Sequence, residues 1–75
     1  MLNQEMRTVT MSRSDMLRVA QALTHMVWEF REEVEDPNTT EDRRRTARGS
    51  MEMWQRIRNE VDRQLDEQDP EEFRR

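Results

Sequence analysis

His25 is the only histidine in the chain. Glu29 follows it by about one helical turn, with Glu32 close behind, so a helix here would bring one imidazole and two carboxylates toward one outer face. A lone exposed histidine among acids is ordinarily solvated, so no metal site and no cofactor are expected. Nucleophilic catalysis needs a nucleophile with a base in reach, and the chain holds no Cys, Tyr or Lys beside its one His. Acid–base work needs a carboxyl whose pKa is raised by apolar surroundings, and none of the 17 acids falls on an apolar face. A single glycine cannot build a glycine-rich phosphate loop. No catalytic residue is therefore assigned, and the chain is not expected to be an enzyme.

The remaining chemistry is in the arginines. All 13 basic residues are Arg, and they come in blocks. Residues 29–42 hold seven acids against one Arg; residues 43–58 hold six Arg against one acid. Arg43, Arg44, Arg45 and Arg48 could grip phosphate. However, consecutive residues on a helix point about 100° apart and make no single basic stripe. Glu29, Glu32, Glu33 and Glu35 are the expected neighbours, so ion pairing inside the chain is the expected role and nucleic acid a disfavoured partner. Each exposed pair should then contribute little, Arg44 and Arg45 included.

Seventy-five residues allow one small domain, 1–75, with loose tails expected at 1–5 and 68–75. Leu, Ile, Val and Phe total only 12 residues, so the seven Met and two Trp must supply much of the core. There is no cysteine for a disulfide or thiolate site. With no long apolar run or leader-like segment, a soluble, cytoplasmic protein without a membrane partner is expected.

The apolar spacing sets the elements. Met6 to Met11 alternates, predicting a short N-terminal β-strand with Val9 and Met11 on one side and Thr8 and Thr10 on the other. Ser12 followed by Asp15 reads as a capping box, opening a first helix over about 13–35. Met16, Ala20, Leu23, Val27, Phe30 and Val34 form its inward stripe, with steps of four and three, widened by Val19 and Met26. Asp36-Pro37 stops it. Capping boxes at Asn38 or Thr39 open a second helix over about 39–67, with Ala47, Ser50 or Met51, Trp54, Ile57, Val61 and Leu65 inward. Asp69-Pro70 suggests a further short turn holding Phe73.

So short a turn makes the helices antiparallel, giving an all-α hairpin with Phe30 opposite Ala47, Leu23 opposite Trp54 and Met16 opposite Val61. One hairpin buries too little, so a homodimer forming a four-helix bundle is expected, with Met16, Leu23, Val27, Phe30, Trp54, Ile57 and Val61 as its core and interface. Leu17, Gln21, Thr24 and Trp28 make a second stripe, off that seam. Trp is favoured in interfaces, which makes Leu17, Thr24 and Trp28 candidate partner-binding residues, although Trp28 could equally fold over a neighbouring helix of its own dimer. Gly49, inside the second helix, is read either as a close helix approach or as simple tolerance of a residue costing about 1 kcal/mol relative to Ala.

Two resemblances bear on function. The run Arg7-Thr-Val-Thr-Met-Ser-Arg-Ser-Asp-Met16 resembles the start of ribbon-helix-helix repressors. That likeness implies strands pairing across a dimer, with Met6, Thr8 and Thr10 outward to read DNA. Here the first helix is about twice that family's length, and its glycine-containing turn is missing. The whole layout (a TVT-type strand, a long helix, an Asp-Pro turn and a second long helix) is similar to small helical hairpins of actinobacteria and their phages, which implies no particular activity. The expectation is a non-catalytic protein-interaction module, phage-encoded and modulating a host protein in the host cytoplasm. The alternative is a ribbon-helix-helix-like transcriptional regulator.

Overall fold

The computed structural model describes residues 5–69, and these form two helices, α1 (Arg13–Glu35) and α2 (Glu41–Gln68). α1 begins where a hydroxyl can cap it. Ser12 is extended, and its Oγ accepts the Asp15 N–H at 3.1 Å. It ends at Asp36, whose φ −71° and ψ 120° are the extended values imposed by a following proline. Asp69, also followed by proline in the sequence, ends α2 with φ −75° and ψ 144°. Gln68 and Asp69, expected to begin a tail, thus belong to the end of α2. The short turn around Phe73 lies outside the described residues, as does most of the tail expected at 1–5.

α2 opens at neither of the expected caps. Asp36 Oδ1 accepts the Asn38 N–H at 2.9 Å, and its carbonyl accepts the Thr39 N–H at 3.1 Å. That turn uses up Asn38 and Thr39. The cap passes to Thr40, whose Oγ1 accepts the Arg43 N–H at 3.3 Å.

The helices run antiparallel. At the turn end Arg43 meets Glu33 at 3.2 Å, and Phe30 and Ala47 line one small hollow, as the spacing predicts. At the open end Arg13 grips Asp69. Between them the apolar stripes meet, but among the described residues only four apolar ones, Leu23, Val27, Ala47 and Leu65, are buried. Met16, Phe30, Val34, Trp54 and Val61 are half-buried, while Ile57, placed inward by the sequence reading, is 38% exposed. The molecule measures 45 × 34 × 16 Å, so it is one layer of helices.

Residues 5–12 contain neither helix nor strand. The strand expected at 6–11 has no partner within one chain, and its alternation is not expressed as an inside and an outside. Met6 is 92% and Val9 75% exposed, and Thr8 and Thr10 are exposed as well. No described helix is long and apolar enough to cross a membrane.

Candidate interaction surfaces

Among the described residues no three of His, Cys, Asp and Glu converge as a metal site would require. His25 is not gathered with Glu29 and Glu32; its ring stands edge-on to Trp28, with centroids 6.3 Å apart and planes at 62°.

That aromatic pair borders an open groove of about 670 Å³. The off-seam stripe of α1 supplies its wall, with Leu17, Gln21, Thr24 and Trp28, and α2 supplies Asp62. The three candidate partner-binding residues, Leu17, Thr24 and Trp28, therefore share one surface. Helical spacing brings them there, since residues three or four apart lie on one side. Thr24 Oγ1 donates to the Ala20 carbonyl at 3.0 Å, so its hydroxyl is already satisfied. Trp28 is 55% exposed, far more than a tryptophan covering its own core.

The polar part of this region is on α2. Arg58 is half-buried, and its Nε lies out of contact with water without an acceptor. Its Nη2 reaches only the Asn59 Oδ1, at 3.5 Å. Arg58 and Asp62, one turn apart on α2, form no ion pair, which leaves Asp62 to the groove. On the outer side of α2, Arg63 instead holds Glu60 at 2.6 Å and Glu67 at 2.8 Å. Hydrogen bonds from Arg63 and then Gln64 lower the Glu60 pKa to about 2.

A second groove, of about 500 Å³, lies by the apolar stripes and the lead-in to α1. Met16 and Val19 of α1, Ile57 and Val61 of α2, and Val9 and Met11 line it. Arg7, the cation of this lead-in, bonds Glu5 at 3.0 Å.

The basic block is used differently from the expected lattice of ion pairs. Among the described residues two pairs join it to the acidic block, Arg43–Glu33 between the helices and Arg44–Glu41 within α2, each at 3.2 Å. Arg44 turns inward, its side chain 24% exposed, and donates to three carbonyls: Val34 at 2.9 Å, Asp36 at 3.1 Å and Thr39 at 3.1 Å. It serves as the C-terminal cap of α1, whose own last turn has no basic residue. Nothing in its sequence spacing distinguishes it from Arg43 or Arg45.

Arg13 closes the other end in a bidentate grip, Nε to Asp69 Oδ1 at 2.7 Å and Nη2 to Oδ2 at 3.1 Å. The hydrogen bond and charge of nearly buried Asp69 raise the Arg13 pKa. This pair, too, escaped the sequence reading, which sought ion pairs between the arginine and acidic blocks near the turn. Compared with protein-family models, curated proteins and solved structures, the chain matches none.

Proposed function

We propose that this chain is a non-catalytic protein-interaction module that contacts another protein through the Trp28 groove and pairs with a second copy of itself. The observation carrying this reading is Trp28 itself: a large aromatic side chain 55% exposed, beside Leu17 in an open groove. Aromatic anchors of this kind dominate binding energy at protein interfaces. Pairing answers the thin core, because domains ordinarily need two packed layers and this one has a single layer. The likeness to actinobacterial and phage hairpins fits a small modulator that acts on a host protein in the cytoplasm.

Affinity capture from the source cell with wild-type chain and with Trp28→Ala tests the reading. A protein retained by the wild type and lost with the folded variant supports it. Retention unaffected by Trp28→Ala and Leu17→Ala removes the groove from the account. DNA readout by Thr8 and Thr10, the ribbon alternative, is disfavoured because Arg7 is engaged by Glu5. Duplex binding that weakens steeply with salt and disappears on changing both threonines to Ala would restore it.

A further inference from the structure

We propose that the second copy seats on the face carrying Val19, Met53 and Ile57, leaving the Trp28 groove open on the outside of the four-helix bundle. The inference rests on the reading that the hairpin pairs with itself, and names the surface it uses.

The hairpin is one layer thick and has two sides, which differ in chemistry. On one side Val19 is 37%, Ile57 38% and Met53 41% exposed, and Met11, in the lead-in beside them, is 39% exposed. Along α1, Met26 follows Val19 by two turns, with Phe30 a turn further; along α2, Met53 precedes Ile57 by one turn and Ser50 lies before it. None of these side chains is ionised. Of the charges bordering this side, Glu33 is matched by Arg43 at the turn end and Glu5 by Arg7 at the lead-in, which leaves the Asp42 carboxylate at the edge beside Phe30.

The other side holds Trp28, His25 and Asp62, and Arg58, whose Nε has no acceptor, precedes Asp62 by one turn of α2. Interface cores are depleted of charge, and covering the Asp62 carboxylate and the Arg58 guanidinium is costly wherever the covering surface does not supply their partners, a demand the uncharged side does not make. Charge complementarity therefore separates the two sides: the neutral one takes an identical copy, and the mixed one takes a partner whose own groups can match it.

The area agrees. The chain exposes 6589 Å². A compact chain of 9.3 kDa exposes about 5,000 Å². The surplus is on the order of 1,600 Å², twice what one chain contributes to a standard interface of about 800 Å² per partner, so the open area suffices for one. Stacking two hairpins on their neutral sides gives the missing second layer and places both Trp28 grooves outward.

Sedimentation equilibrium on the full chain, with Ile57→Arg and Trp28→Arg alongside, tests the assignment. The wild type should have twice the chain mass. Ile57→Arg should weaken self-association by about 100-fold or more, because an uncompensated charge enters the interface. Trp28→Arg should leave it unchanged within about threefold. Far-UV circular dichroism checks that each variant is helical. Should Ile57→Arg unfold, peroxide oxidation of the wild type decides: Met53 must react more slowly at concentrations where the mass is doubled. Dissociation by Trp28→Arg alone, persistence of the dimer in folded Ile57→Arg, or an unprotected Met53 in the dimer each overturn the seat while leaving self-pairing intact. A monomeric wild type overturns the pairing itself and this inference with it.

Discussion

Replacing Arg44 with Ala should cost far more than replacing Arg45, although the two are adjacent members of one arginine run. Arg44 donates to the carbonyls of Val34, Asp36 and Thr39, and its side chain is 24% exposed. A hydrogen bond from a charged donor contributes about 1.5–3 kcal/mol net. Asp36 and Thr39 lie in the turn, where water can replace the guanidinium, whereas the Val34 carbonyl belongs to the last turn of α1. The three bonds together with the partly buried stem should therefore contribute about 2–3 kcal/mol, near the upper value for one such bond. Arg45 is exposed and makes no hydrogen bond or ion pair with the described residues, and its loss should stay within about 0.5 kcal/mol. Lys at position 44 keeps a charge near the α1 C-terminus, worth about 0.3–1 kcal/mol, but lacks the fork that spans three acceptors. Urea unfolding followed at 222 nm, a helix signal, should rank wild type above Arg44→Lys above Arg44→Ala. Protein concentration must be held constant, because self-association adds to apparent stability. Raising salt should leave most of the gap between Arg44→Ala and wild type intact, since three of the four acceptors are neutral carbonyls and only the exposed Glu41 carboxylate, at 3.2 Å, is screened. Equal losses for Arg44→Ala and Arg45→Ala would refute the capping role.

Three further outcomes are expected. Gly49→Ala should stabilise the chain by about 1 kcal/mol, because an added Cβ meets nothing within 4 Å; a loss of stability or of self-association in urea unfolding would mean that another helix approaches there. Glu60 titrates at about 2 instead of 4.5, so its pairing with Arg63 stabilises the fold above about pH 4.5 and is lost as pH falls toward 2. Glu60→Gln should accordingly show a shallower loss of stability across that window, and identical acid profiles would contradict it. Asp69→Asn removes the carboxylate that Arg13 grips, so hydrogen exchange should quicken near Arg13 and Leu65 while the turn around Asp36 is unchanged.

How far the structure could be read beforehand differs by level. Helix limits followed from local rules. Ser12 caps α1, and the residues before Pro37 and Pro70 end α1 and α2, because capping and proline sterics act within a few residues. The α2 start was displaced to Thr40 because Asn38 and Thr39 each fit a cap taken alone, while the Asp36 side chain had already engaged the turn. Leu17, Thr24 and Trp28 were found to share a groove because helical spacing alone places them on one side. The failures are long-range. Periodicity marks Ile57 as apolar-facing but cannot tell a core from the open side of a single layer, and Ile57 remains 38% exposed. Gly49 offered two readings, and within one chain nothing approaches it.

The charge blocks show why counting charges located the right neighbourhood and one of its contacts, Arg43–Glu33, but not the others. Arg13 in the first turn of α1 and Asp69 at the end of α2 each have the unfavourable sign for their own helix dipole. Antiparallel packing sets the start of α1 beside the end of α2, so each becomes favourable for the neighbouring helix, and they meet at 2.7 Å. The same logic operates at the turn. Glu32, Glu33 and Glu35 crowd the negative end of α1, and no basic residue of that turn answers them. Arg44 arrives from α2 and binds the carbonyls directly, while Arg43 takes Glu33. A cation can do both jobs only if the helices return on themselves with this register, so the arginines at the two ends specify the hairpin as well as stabilise it. That leaves the apolar side chains between them free to be shared outward, with Val19, Met53 and Ile57 exposed on a layer whose ends are already closed.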